Sequence, residues 1–322
     1  MTQNSVTRIG TSDLEVFPLN LGGNTFGWTS DEQTSHQVLD GFVAAGGNFI
    51  DTADGYSAWV PGNSGGESET IIGSWLKARG TRDSVVIATK VSQHPQFKGL
   101  SAANIHAAAD ASLARLGTDS IDLYYAHFDD ATVPLLETAR AFDELVTAGK
   151  IRYIGISNYT AERAEEWMTI AQANNLALPV ALQPHYNLVT REPFESTLLP
   201  FAQSHNLGVM PYYSLASGFL TGKYRSADDL GASPRGQGAN QYLTESGLGV
   251  IDALDAIAGE HNVAIATIAL AWLQAQPTIV APIASARTPE QLGDLMAAAS
   301  VTLSSDQLAL LDDVSRSVVL AS

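Results

Sequence analysis

Cysteine is absent from the 322 residues, which excludes disulfides, thiolate metal sites and a cysteine nucleophile, and suits a reducing compartment. Positive charge is scarce. Only 17 Lys and Arg stand against 34 Asp and Glu, a net charge of −17, which argues against nucleic-acid backbones or anionic membrane surfaces as partners. No stretch reaches the roughly 18 consecutive apolar residues of a spanning helix, and the opening "MTQNSVTRIGTSDLEV" holds no apolar run of signal-peptide length. These absences predict a soluble cytoplasmic protein. Two others bear on chemistry. No G-x-G-x-x-G follows the first strand, and no H-x-H occurs on it; His36, His94, His106, His185, His205 and His261 are scattered. The first absence weighs against a doubly wound Rossmann sheet, and the second against a metal hydrolase; no metal is expected.

What is present is a large potential core, with 45% hydrophobic and 16% charged residues. Short apolar runs recur along the chain: "VFPLNLGG", "NFIDTA", "VVIATKV", "IDLYYAH", "IRYIGISN", "VALQPHYN", "GVMPYYSL" and "TIVAPIAS". Segments of helical spacing lie between them. In Asp31 to Ala45, residues Val38, Leu39, Phe42 and Val43 share a face, and Ser30 with Gln33 fits a capping box. Further helices are expected from near Glu67, Ser101, Pro134, Thr160, Glu192 and Pro289, with a composite region at Leu248 to Gln276. Near-continuous apolar strands alternating with helices imply parallel pairing buried on both faces. Eight such units suit an α/β fold of the (β/α)8 TIM-barrel type, which needs about 250 residues. The surplus goes to an N-terminal hairpin turned at Gly10 and Asp13 that closes the barrel floor, and to a long loop, Thr221 to Gly247. One domain spanning 1–322 is predicted.

Chemistry in such barrels sits at the carboxyl ends of the strands. There the sequence places Asp51 and Tyr56 after strand two, Lys90 in strand three and His127 after strand four. Ser157 and Asn158 end strand five, Gln183 lies in strand six, and Tyr213 and Ser214 end strand seven. Lysine is almost never buried unpaired, and Asp51 on the adjacent strand is the matching anion. A phenol titrates near pH 10, and a neighbouring ammonium lowers that value toward the range of acid–base work. The set suits proton delivery to a carbonyl that accepts electrons from elsewhere. No side chain supplies a hydride, so a cofactor is required.

In order and spacing, "FIDTADGY", "IATKV", "DLYYAH", "GISN", "LQPHYN" and "PYYSLASGFLTGKY" resemble the signatures of the aldo-keto reductases over nearly the whole chain. The resemblance implies a catalytic tetrad of Asp51, Tyr56, Lys90 and His127, with Tyr56 the general acid in reduction and His127 orienting the carbonyl. It implies that Ser157, Asn158 and Gln183 hold the nicotinamide carboxamide, with Tyr213 stacked on the ring. Leu215, Ser217, Gly218 and Lys223 would meet the pyrophosphate, and Ser214 would be a further cofactor contact. "IASARTPEQLGDL" resembles the adenosine-end motif, with Ser285 and Arg287 gripping a 2′-phosphate and Gln291 and Asp294 beside the adenosine. That favours NADP(H). The family's usual glycine and asparagine are replaced there by Ser285 and Leu295. Trp28 and Trp59 would wall a pocket for a hydrophobic or aromatic carbonyl, or its alcohol. Two alternatives stay open: a Schiff-base aldolase acting through Lys90, and an NADPH-binding redox-sensing subunit with little turnover.

Overall fold

The computed structural model describes residues 6–321. Eight parallel strands form its frame: β1 Asn20–Gly22, β2 Phe49–Asp51, β3 Val86–Val91, β4 Ile121–Ala126, β5 Ile151–Ser157, β6 Pro179–Gln183, β7 Gly208–Val209 and β8 Ile283–Ala284. From β1 to β7 each strand pairs with the next, and β8 returns to β1 with Ile283 opposite Asn20. The seam between β7 and β8 is closed by Val209 N–H to Thr278 O, Val280 N–H to Val209 O and Ile283 N–H to Pro211 O, each 2.9 Å. The ring is the expected (β/α)8 barrel.

Strand alternation sorts its side chains into two cores. Phe49, Val86, Ala88, Leu123, Tyr125, Ala181, Met210 and Ala281 fill the interior. Ile50, Ile87, Tyr124, Ile154, Ile156 and Leu182 face outward to the helices. All six residues of β3 and all six of β4 are buried as a result. The helical layer comprises α1 Glu32–Ala44, α2 Glu67–Arg79, α3 Ala102–Leu116, α4 Leu135–Thr147, α5 Ala161–Ala173, α6 Leu199–Ser204, α7 Glu245–His261, α8 Ile265–Gln274, α9 Leu292–Met296 and α10 Ser305–Ser315. No single helix among the described residues is long and apolar enough to cross a membrane.

The N-terminal hairpin pairs Thr7–Arg8 with Glu15–Val16. It drives Ile9, Leu14 and Val16 into the interior cluster and so plugs the barrel floor. Each is at most 2% exposed, and burying one such side chain is worth up to about 1.5–3 kcal/mol. Gly10 is required at the turn: its φ is +51°, and a Cβ there would lie 2.4 Å from Val180 O.

Two local expectations are corrected. The cap of α1 is Asp31, whose carboxylate accepts from Thr34 N–H at 2.8 Å. Ser30 does not form the capping box with Gln33, because its hydroxyl donates to Arg287 O at 2.8 Å and ties the β1 loop to the β8 loop. The segment from Thr221 to Gly247 is not a plain loop either. It winds into helical turns at Ala227–Ala232, Gly236–Ala239 and Asn240–Tyr242, and Tyr224 Oη and Ser233 Oγ join its limbs at 2.6 Å.

Candidate active site

Phe49 and Ala88 point into the barrel, so Asp51 and Lys90, each two residues further along its strand, point inward at the rim. The Lys90 ammonium, 0% exposed, spends its three hydrogens on three acceptors: Asp51 Oδ2 at 2.5 Å, Thr52 O at 2.7 Å and Tyr56 Oη at 3.0 Å. Tyr56 Oη in turn donates to Asp51 Oδ2 at 3.3 Å, and Gln183 Nε2 donates to Asp51 Oδ1 at 2.9 Å. The lysine is thus anchored by one neighbouring carboxylate and aimed at one phenol. The His127 ring sits 6.2 Å from that of Tyr56, with Nδ1 buried and unpartnered among the described residues.

The electrostatics correct one sequence-based expectation. Burial first, and the Asp51 charge second, push the Tyr56 phenol well above its ordinary value. Lys90 Nζ, at 3.0 Å, is nearer the phenol oxygen than Asp51 Oδ2 at 3.3 Å, but burial is the larger effect, and the neighbouring cations, Arg235 among them, do not reverse it. The phenol is therefore held protonated, the form an acid needs. Burial also pushes Lys90 down, opposed by Asp51. His127 is pushed well below its ordinary value by burial and then by Lys90, leaving a neutral imidazole with one N–H to offer.

These groups open into a cavity of about 540 Å³ that runs across the barrel mouth. Asp51, Tyr56, His127, Asn158, Gln183, Tyr213, Ser214, Leu215, Ser217, Gly218, Lys223, Ser285, Arg287, Gln291 and Asp294 all lie on its walls. Lys90 stands directly behind Tyr56. Ser157 is not on the wall: it is fully buried, and its hydroxyl donates to Gln183 O at 2.8 Å and accepts from Asn158 Nδ2. Asn158 is largely spoken for too, giving its amide hydrogens to His127 O and Ser157 and accepting from Tyr212 Oη at 2.8 Å. Of the two tryptophans, Trp59 lines the cavity and is 52% exposed. Trp28 supports it from behind, edge to face at 5.6 Å.

Some backbone strain falls on the same walls. Tyr213 and Ser217 hold positive φ, 53° and 58°, a costly choice for such residues that persists only where surroundings impose it. Asn158, at 55°, holds the left-handed conformation its residue type tolerates. At Tyr213 the strained backbone presents a ring that is 54% exposed. Three cations share the cavity, Lys223, Arg235 and Arg287. Among the described residues, neither Lys223 Nζ nor the Arg287 guanidinium forms an ion pair or hydrogen bond with protein. Arg287 is held in place through its backbone, with N–H to Gln291 Oε1 at 2.8 Å.

Arg235, Asn24, Phe128 and Tyr212 also line the cavity and escape the sequence reading. Arg235 comes from the Thr221–Gly247 segment, reaches Asn24 Oδ1 at 2.8 Å and lies 5.6 Å above the Trp28 ring. Asn24 Oδ1 also accepts from Ser285 Oγ at 2.8 Å. Burial and the neighbouring Arg287 push Arg235 below its usual value. An anion between the two guanidinium groups would relieve both. Its only sequence signal is a basic residue between Pro234 and Gly236 in a long loop.

The family model described as "Aldo/keto reductase family" matches residues 18–316. The chain is 35% identical to a probable voltage-gated potassium channel subunit beta of Oryza sativa subsp. japonica, over 91% of this chain and 90% of that one. It is 35% identical to Protein tas of Escherichia coli (strain K12), over 95% and 96%. It is 32% identical to norsolorinic acid reductase of Aspergillus flavus, over 93% of this chain and 78% of the relative.

Proposed function

The chain belongs to the aldo/keto reductase family, and from that premise we propose that it is an NADPH-dependent reductase that interconverts a hydrophobic aldehyde or ketone with its alcohol, working as one barrel domain. The hydrogen-bonded chain from Asp51 through Lys90 to Tyr56, 2.5 and 3.0 Å, carries this reading. It does what a carbonyl reduction asks of a protein: it keeps a phenol protonated until an oxygen beside it gains negative charge. Tyr56 then gives that oxygen its proton, and the Lys90 ammonium stabilises the phenolate left behind. The neutral His127 imidazole orients the same oxygen by donating one hydrogen bond.

The donor set fits a nicotinamide dinucleotide. Tyr213 offers an exposed ring face at the end of the cavity that holds Tyr56. Lys223, Arg235 and Arg287 supply cations along the rest, and guanidinium groups suit phosphate. Gln183 and Asn158 border the ring end, and Ser157 acts by fixing both. Ser214, Leu215, Ser217 and Gly218, which line the cavity, would border the pyrophosphate, and Ser285, Gln291 and Asp294, also on its wall, would border the adenosine. Arg287, whose guanidinium has no protein partner among the described residues, favours a 2′-phosphate and hence NADP(H). When bound, this cofactor supplies the hydride. Trp59 and Phe128, both exposed at the mouth, make the substrate side aromatic, with Trp28 behind.

An imine-forming role for Lys90 is opposed by its three hydrogen bonds and complete burial. A second reading has one observation in its favour: a relative carries the name of a potassium channel beta subunit, and an NADPH-holding sensor would use the same cavity. A panel of aromatic and aliphatic aldehydes and ketones, followed by nicotinamide absorbance, decides. Turnover with NADPH supports the reductase. Tight NADPH binding with no turnover across the panel supports the sensor.

A further inference from the structure

Behind the proposed acid lies a second carboxyl that its mechanism does not use. Asp54 sits between Asp51 and Tyr56 in the same turn and is 0% exposed. Neither of its carboxyl oxygens has a hydrogen-bond partner of good geometry among the described residues, and the backbone N–H groups of Gly55 and Ser92 that favour its charged form are outweighed by burial. Its backbone N–H donates to Lys90 O at 3.1 Å, which fastens the turn along β3. An unpaired carboxylate in so dry a place is costly.

Charged and titratable groups face this space from every element around it. Glu69 of α2 is fully buried and accepts from Thr89 Oγ1 at 2.5 Å and from Arg115 Nε at 2.6 Å. Arg115 comes from α3 and acts on both acids. Tyr124 of β4 feels both acids, and its hydroxyl is also unpartnered. Lys90 feels Asp54 and Glu69 from β3. His94, in the short hairpin after β3, feels Glu69 and Arg115. Two carboxyls therefore share one guanidinium, whose Nε is committed to Glu69. Like charges at one site keep a proton between them, and the unpartnered acid is the one to hold it.

Given the reductase reading above, we propose that Asp54 is a positioning residue for the reaction: a buried acid beneath the tetrad turn that must stay uncharged for Lys90 to steady the phenolate forming on Tyr56. Burial and Glu69 push its carboxyl up to about 8, so the protonated form predominates at neutral pH. Among the described residues Asp51 is the only anion bonded to the ammonium. Ionised, Asp54 adds a further negative charge near Lys90, weakens the pull on Tyr56 and slows proton donation. Asp54 touches neither substrate nor cofactor.

Stability moves with the same proton. The folded chain holds it up to about pH 8, whereas the unfolded chain releases it near the ordinary 3.8. The contribution of Asp54 is thus most favourable in acid and declines as pH rises between those values, with no further loss above the upper one.

The test compares wild type with Asp54→Asn, which keeps the shape and removes the charge. Single-turnover carbonyl reduction by NADPH-loaded enzyme is followed across neutral and alkaline pH, alongside thermal unfolding from acid to alkaline pH. Wild type should lose rate by about tenfold through an ionisation near 8 that the variant lacks. The variant should unfold at a higher temperature than wild type at neutral pH and lose that advantage in acid. Coincident pH–rate profiles in two active proteins overturn the role of Asp54 alone. Unfolding curves that keep the same separation at every pH overturn its protonation. If neither protein turns over any carbonyl, the reductase reading falls and takes this role with it.

Discussion

At the floor of the barrel, Asp122 near the start of β4 offers two carboxylate oxygens, and Arg82, Arg152 and the Ile87 N–H take both. At the mouth, His127 Nδ1 has no partner among the described residues, and Tyr213 and Ser217 hold a costly backbone. The floor is packed shut by Ile9, Leu14 and Val16, while the mouth leaves Trp59, Phe128 and Tyr213 exposed. The floor is closed by apolar side chains; the mouth is open and carries the positive φ of Tyr213 and Ser217 on its walls. His127 Nδ1 and the exposed aromatic rings are the groups kept available at the end where the strands finish.

The sharpest way to probe that contrast is to remove a charge from the mouth. Lys90→Met leaves Asp51 buried without its ammonium and should cost about 3–5 kcal/mol of stability as well as activity, measured by denaturant unfolding and turnover. At the floor, Ile9→Ala opens a cavity in the interior core and should cost about 2–5 kcal/mol. Its kcat should match wild type, since no cavity-lining group moves; a fall in kcat would break the division of labour. Arg235→Ala tests whether the mouth's cations serve a bound anion. NADPH affinity should weaken by about 10- to 100-fold, the worth of a charged hydrogen bond, in titrations of cofactor fluorescence, with unfolding barely changed. Unaltered affinity would detach the Thr221–Gly247 segment from cofactor binding.

Much of this was legible in the sequence because strand alternation leaves a direct imprint. A lysine inside "VVIATKV" and an aspartate ending "NFIDT" have one geometry open to them in a closed barrel, and they meet at 2.5 Å. The hairpin at Gly10 was likewise announced by its turn residues. Less legible were features that depend on who reaches an oxygen first. Ser30 reads as a helix cap but bonds across to Arg287 O. Ser157 reads as a wall residue but is consumed by Gln183 O. The direction of the Tyr56 shift depends on burial and on Asp51 standing nearer than motif spacing reveals. Arg235 was invisible because a long loop has no periodicity to say which residue folds back over the mouth.

The most direct test of the account is the single-turnover oxidation of enzyme-bound NADPH by a good aldehyde substrate, in wild type and in Tyr56→Phe. The variant should bind NADPH as wild type does and transfer hydride about 10²- to 10⁴-fold more slowly, the usual worth of a positioned acid. A variant that reduces the aldehyde at the wild-type rate would contradict the assignment of Tyr56 and the chain of contacts built around it.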